Sequence, residues 1–510
     1  MSNTSSPIIA SGTEGSLGRG PYKRLVLQNV TVIDGSGAPP YGPADVVIEK
    51  DQIRSINSAG RNTDMTQHGR ITDSYAEVLD LSGHYVLPGL IDSHAHIGFS
   101  HQGPGADYIY QLWLGHGITT VREPGAIVNG VPFTLDEAAR SDANEITAPR
   151  IVTYAAFGAG RGEPFRTPKD AEEWVSAQAD AGAAGIKFFG APPEIFKAAI
   201  EEATRLGLAT ACHHAVSDVA RVNALTTARW GLTSIEHGYG LPESMFADRR
   251  VQRFPASYNY NNEHDRFEQL GRLWHEAAEP GSRVWDETID ELVALGTAMD
   301  PTLVVYVASR DAARARGREY HRDYTAPQAW QFFQPHPETH GSYFTDWGTE
   351  EEVAWKENYR LWMTFVRDFY HRGGLLTAGS DAGFIYNLYG FGLIEELELL
   401  REAGLTALEV LQCVSSNAAT LLGRNDLGIV EPGKRADLLV TAENPLANLK
   451  TLYGHGHLRR QPDGTMARVG GVRYTIKDGI VFDAASLRAN VRDMVATERE
   501  RLGVDAPYTP

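Results

Sequence analysis

Residues 88–96 read Pro-Gly-Leu-Ile-Asp-Ser-His-Ala-His. An apolar run opened by a Pro-Gly turn signal ends on two imidazoles two positions apart. Side chains at i and i+2 of an extended strand point the same way, so His94 and His96 can reach one cation. Taken alone, such a pair is more often a solvated or core pair than a metal site. Its place gives it weight: it lies at the C-terminal end of a candidate strand, where (β/α)8 barrels carry their functional groups.

Outward from this stretch, short apolar runs alternate with amphipathic segments. The candidate strands are 86–92, 118–122, 150–153, 185–189, 209–213, 232–237, 302–306 and 375–381. Most starts are one βα unit apart, and eight such units close a TIM barrel. The gaps before and after 302–306 are much longer. Helix starts support the alternation. Thr349-Glu-Glu-Glu352 reads as a capping box, and Gly373-Gly374 ends the run it opens; Thr406-Ala-Leu-Glu409 is a second box. Both chain ends are β-rich instead, at 25–33 and 44–49, then at 436–440, 472–476 and 480–482, with Lys477-Asp-Gly479 as a hairpin turn. The expected organisation is an α/β chain with a flexible tail over 1–20 and a small β-sandwich shared by 21–84 and 424–485. A TIM barrel would span 85–423, and a C-terminal helix or tail 486–510.

Composition narrows the function classes. The 510 residues are 42% hydrophobic and 22% charged, ordinary for a globular chain. A formal charge of −18 repels phosphate backbones and anionic lipid, which argues against nucleic acid and membrane as partners. Two cysteines, Cys212 and Cys413, give no disulfide framework and suit a reducing compartment. The Ser/Gly-rich start does not resemble a secretory signal, and no segment is long and apolar enough to span a bilayer. A cytoplasmic protein acting on a small molecule is expected.

Further metal-ligand types sit at the ends of later strands: the His213-His214 pair, His237 after Ser234-Ile-Glu236, and Asp381 after Thr377-Ala-Gly-Ser380. Each alone has an ordinary structural reading, Asp381 as a helix cap and His237 as a core histidine. Their recurrence at equivalent ends of one alternating pattern points to a metal site. Only one member of an adjacent pair such as His213-His214 can face the barrel. Lys187 lies inside the apolar run Gly185-Ile-Lys-Phe-Phe189, where a bare ammonium is costly to bury. Either its amine snorkels to the barrel mouth, or burial lowers its pKa and the free amine takes up CO2 as a carbamate that can bridge two cations.

Together these segments resemble the amidohydrolase superfamily, in particular its prolidase-like and imidazolonepropionase-like branch. The resemblance rests on 88–96, on Gly-Ile-Thr-Thr-Val-Arg at 117–122, Gly-Ile-Lys at 185–187, Ser-Ile-Glu-His at 234–237 and Gly-Ser-Asp at 379–381. Ser-Asn-Ala-Ala at 416–419 and Gly-Ile-Val-Glu-Pro-Gly-Lys-Arg-Ala-Asp-Leu at 428–438 complete it. It implies a TIM barrel with a β-sandwich built from both chain ends. It also implies His94, His96 and Asp381 on one divalent metal, His213 and His237 on another, and Lys187 as a carboxylated bridge, with zinc as the metal. His213 is favoured over His214 by aligning Gly207 with the family's glycine before that strand. The sequence departs in two places: the stretch between His213 and His237 is a few residues longer, and Glu123 stands where relatives more often have Asp.

The implied chemistry is hydrolysis by water activated between two cations about 3.5–4 Å apart. Asp381 is the catalytic acid–base group, taking the water's proton and delivering it to the leaving amine. Tyr239 is a candidate donor to the oxyanion, and Arg122 and His214 are candidate substrate contacts. The long segments 238–298 and 307–372 hold six of the nine tryptophans and Tyr258-Asn-Tyr-Asn-Asn262. They read as a lid with an aromatic pocket or as subunit contacts of a homo-oligomer. The expected substrate is a dipeptide or N-acyl amino acid with an apolar or aromatic group. The alternatives are another carbonyl bond, such as a cyclic amide or lactone, ring deamination at a one-metal site, and a non-enzymatic scaffold. Deamination is disfavoured by Lys187 and by Val216, which stands where the resemblance puts a deaminase glutamate. A scaffold would have lost ligands.

Overall fold

Seven parallel strands pair in unbroken chain order: β1 (Leu90–Asp92), β2 (Ile118–Gly125), β3 (Arg150–Ala156), β4 (Gly185–Phe188), β5 (Ala209–Cys212), β6 (Ser234–Glu236) and β7 (Ala298–Asp300). The computed structural model describes residues 8–58, 76–246, 248–334, 343–344 and 346–507. Every residue of β2 and β4 is buried, as expected of parallel strands covered on both faces. The segment 375–381 closes the ring. On one edge Met299 N donates to Leu375 O and Thr377 N to Met299 O, each at 2.9 Å. On the other, Ser93 N donates to Ala378 O at 3.1 Å and Asp381 N to His94 O at 2.7 Å. Gly379 permits this closure, because a Cβ there would lie 2.4 Å from the Cβ of His94 and 2.5 Å from Oδ1 of Asp300.

Three expectations change. The seventh strand is β7, not 302–306. Pro301 follows β7, Thr302 takes φ 46°, and Leu303–Tyr306 coils as a buried 3-10 helix. An apolar run of four fits a buried strand and a buried helical turn equally well. The run 86–92 is two strands: Tyr85–Pro88 pairs with Leu438–Thr441 outside the barrel, and Leu90–Asp92 enters it. The tail expected to be flexible is in contact with the barrel over 8–20. Ile9 is buried and its N–H donates to Asn129, while Gly12 N donates to Glu137 at 2.9 Å and Arg19 N to Val481 O. Carboxylate and amide side chains satisfy this backbone, so it needs no apolar periodicity of its own. Residues 1–7 lie outside the described residues.

The chain ends meet in one eight-stranded mixed sheet that runs through Val472–Lys477, Leu438–Thr441, Tyr85–Pro88 and Leu25–Val32 to Tyr41–Glu49. Glu77–Asp80 branches off Leu25–Val32. Leu27, Val46, Val86, Leu438 and Ile476 share one core beneath it, so the expected small β unit is built from both chain ends as one mixed sheet. A helix, Ala484–Leu502, follows and packs on helix Ala106–Leu114. The helices inserted around β7 include Glu263–Leu273, Arg283–Ala294 and Thr349–His371. The last is capped by Gly348, whose N–H donates to Glu351 at 2.8 Å, one residue ahead of the expected Thr349. No helix among the described residues is long and apolar enough to cross a membrane.

Candidate metal centre

His94, His96, Lys187, His213, His237 and Asp381 converge at the C-terminal ends of the barrel strands, on the floor of one pocket of about 770 Å³. Nε2 of His96 lies 3.4 Å from Oδ1 of Asp381, and Nε2 of His94 lies 3.8 Å from the same oxygen. These three residues offer donor atoms within 4.8 Å of one another. The His94 and His237 rings are 5.0 Å apart and the His237 and His213 rings 4.7 Å, so the imidazoles form a continuous arc.

Among the described residues, each imidazole but His213 has a hydrogen-bond partner that orients it. Nδ1 of His94 lies 2.6 Å from Glu236, and Nδ1 of His96 lies 2.6 Å from Glu123. Carboxylates accept, so Nδ1 carries the proton and Nε2 turns to the centre, an arrangement typical of metal-ligating histidines. Nδ1 of His237 bonds Thr302 at 2.5 Å. Two of the converging groups hold the backbone in the left-handed region, His237 at φ 65° and Asp381 at φ 47°. That conformation costs about 1–3 kcal/mol and persists where surrounding bonds fix it. Here His237 N donates to Asp300 O and Asp381 N to His94 O.

Burial pushes His94, His213 and His237 well below the ordinary imidazole value, so they stand neutral, as ligands must. At His96 burial acts the same way but Glu123 and Asp381 outweigh it, raising the ring to about 10. Lys187 is 1% exposed, and its Nζ has no hydrogen-bond partner among the described residues. Burial lowers its pKa. An orphaned amine beside four imidazoles and a carboxylate fits a group that binds divalent metal.

Not every expected contact reaches this floor. Arg122 does not face the barrel mouth. It is 0% exposed in the barrel interior, where it donates to Glu236 at 2.8 Å and to Ser234 at 2.9 Å. The Glu236 carboxylate and the closed barrel thus hold the guanidinium that a substrate was expected to meet. His214 points away from the pocket and bonds Thr227 at 2.8 Å, because adjacent residues of the β5 extension face opposite sides. Its neighbour His213 lines the pocket. Tyr239 also lines it, with its ring 4.6 Å from that of His213 and its hydroxyl 2.6 Å from that of Tyr306.

The sequence reading passed over Glu236 and left Glu123 without a role, although each holds one of the converging histidines. Glu236 had a visible signal: an acid inside an apolar strand, one residue before His237, must find a buried cation or donor. A second close group, His94 with Glu236 and Asp300, is also compatible with metal geometry. Arg122 already lies 2.8 Å from Glu236 and 3.8 Å from Asp300, so a cation occupies that space. Another hollow, of about 830 Å³, opens beside the mixed sheet between Lys23, Glu49, Arg54 and Pro432 and has no histidine in its lining.

A closed parallel barrel with a His-x-His pair after its first strand, a buried lysine on its fourth and an aspartate at its last defines a class. In such barrels the strand C-termini carry the functional groups, and here they bring together side chains that could hold a metal ion. Residues 364–481 match the Amidohydrolase family. Over 96% of this chain and 94% of its own, the structure of bottromycin amidohydrolase superposes with a TM-score of 0.67 at 20% identity. A Xaa-Pro dipeptidase with bound methionine superposes over 90% of this chain and 100% of its own, with a TM-score of 0.59 at 19% identity. At these identities the likeness is one of fold. The adenine deaminase of Lysinibacillus sphaericus is 34% identical over 124 residues, which are 23% of this chain and 19% of that protein. The match therefore spans under a fifth of that relative's length. The family match is thus confined to residues 364–481, and over the rest of the chain the likeness is one of fold.

Proposed function

We propose that the protein is a metal-dependent hydrolase of amide C–N bonds, acting on a dipeptide or N-acyl amino acid that carries an aromatic or apolar group. The observation that carries this reading is the convergence of six ligand-type side chains beneath walls that include Phe189, Tyr239, Phe267 and Phe384. We assign His94, His96 and Asp381 to one cation, His213 and His237 to a second, and Lys187, carboxylated at Nζ, to both. The orphaned Nζ supports the carboxylation, because a buried polar atom ordinarily has a partner. Imidazole and carboxylate together suit zinc. Divalent cations held there supply the Lewis acidity that ionises water near neutral pH and polarises a carbonyl.

The chain's own groups do the remainder. Asp381 takes the proton of the attacking water and passes it to the leaving nitrogen as the C–N bond breaks, giving a carboxylic acid and an amine. The Tyr239 and Tyr306 hydroxyls share one hydrogen bond at 2.6 Å, and with Tyr306 as its donor the O–H of Tyr239 is left to donate to the carbonyl oxygen as negative charge develops there. The aromatic walls exclude bulk water and strengthen both interactions.

A second reading, ring deamination or cyclic-amide hydrolysis, draws on the likeness to adenine deaminase. Against it, Val216 presents an apolar side chain to the pocket three residues after His213. The two readings separate in one assay of metal-loaded protein against dipeptides, N-acyl amino acids, cyclic amides and adenine. The expected result is release of a free amino acid, abolished by chelation and restored by added metal. Ammonia from adenine, or no turnover of any amide, would overturn the reading.

A further inference from the structure

Above the ligand floor, the pocket wall contributed by the segment 238–298 carries a single guanidinium among the described residues, that of Arg266. It sits in the first turn of helix Glu263–Leu273, which Asn262 caps. Two aromatic faces hold it in place: its Cζ is 4.7 Å from the centre of the Phe267 ring and 5.3 Å from that of Tyr260. Nη2 donates to Glu263 at 3.0 Å, and the two side chains are only 18% and 17% exposed. Tyr260, Glu263, Arg266 and Phe267 all line the pocket that ends at the metal-site residues. The charge of Arg266 is also felt by His213 and Tyr239 on the floor.

Such a site is more than a surface ion pair. A guanidinium offers five N–H donors in a planar fork, and the bond to Glu263 engages one of them. Stacking on rings fixes the plane of the fork and lowers the entropy lost when it takes up an anion. The other basic residue in the lining, Lys187, belongs to the floor, and Arg122 is enclosed in the barrel. An apolar pocket with one oriented guanidinium above a hydrolytic floor is built for a ligand with an apolar body and one carboxylate.

The geometry points to Arg266 as the residue that recognises a free terminal carboxylate on the substrate, which makes the protein selective for N-acyl and aminoacyl amino acids whose α-carboxylate is unblocked. This rests on the amide-hydrolase reading above and narrows it. Internal peptide bonds and carboxamide-blocked substrates leave Arg266 without its anion and are poor substrates. Glu263 holds the fork in place before the substrate arrives.

The test compares an N-acyl amino acid with its carboxamide, using metal-loaded wild type, Arg266→Met and Arg266→Lys. Methionine keeps the apolar stem over Phe267 and removes the charge. The wild type is expected to prefer the free acid. In Arg266→Met, kcat/KM for the acid falls by about 100-fold, carried by KM, while the carboxamide is cleaved as before. Arg266→Lys recovers part of the loss, since a point charge replaces the fork. Calorimetry on metal-free protein gives a readout apart from turnover: the product amino acid binds wild type and not Arg266→Met. Acid and carboxamide cleaved alike by wild type and variant would overturn the carboxylate assignment alone. If metal-loaded wild type cleaved neither, both the hydrolase reading and the assignment would fall.

Discussion

The floor and the wall of the pocket are built on different principles. On the floor every reactive side chain leaves the end of a barrel strand or the closing segment, and most are fixed from behind: Glu236 holds His94, Glu123 holds His96 and Thr302 holds His237. Arg122 and Glu236, both fully buried, anchor that layer inside the barrel. The wall comes from the long insertions on either side of β7, with aromatic rings and the ion pair of Arg266 with Glu263, and from residues just past other strand ends such as Ile127, Phe189 and Phe384. Rigid strands with oriented partners make a site whose geometry tolerates little change. Inserted helices packed through rings can vary without disturbing it. On the proposed function, the floor would carry the chemistry and the wall the selectivity.

The comparison breaks most sharply at Asp381. Asp381→Asn keeps the shape of the floor and removes the proton acceptor, so kcat should fall about 10²–10⁴-fold while KM hardly moves. A steady-state assay that finds kcat within a few-fold of wild type would remove Asp381 from the reaction. One layer back, Glu123→Gln leaves His96 in place but weakens its orientation, and metal affinity should drop about 10–100-fold in a chelator competition titration. Unchanged affinity would make Glu123 a packing residue. The smallest effect belongs to the wall. Ile127 lines the pocket and is 46% exposed, so Ile127→Ala should raise KM for a bulky apolar substrate about three- to tenfold with kcat unchanged. A kcat effect as large as that at Asp381 would show that wall and floor are not separable.

Much of the floor is legible in the sequence because strand ends repeat. The runs that carry Lys187, His213 and His237 recur at βα spacing, the run that carries Asp381 follows a long insertion, and a ligand-type residue in each is visible without coordinates. What could not be read follows from physics that acts between distant segments. The run 302–306 looks like a strand because burial, not periodicity, governs its composition, and only Pro301 and the left-handed Thr302 turn it into a helical coil. Arg122 ends the candidate strand 118–122 and was expected to face a substrate. Its side chain instead reaches across to Glu236, 114 positions away, a pairing no local pattern encodes. Arg266 lies in a segment where the sequence offers rings and charges but no strand to place them. Its partner Glu263 is one helical turn away, yet the floor it faces is assembled from the whole barrel.

The central claim is that Lys187 joins two cations on one floor. Elemental analysis of wild type and Lys187→Ala, purified side by side without chelators, tests it most directly. The account predicts about two divalent metals per wild-type chain, lost or halved in Lys187→Ala together with amide hydrolysis. One metal per chain, the same in both proteins, would contradict it.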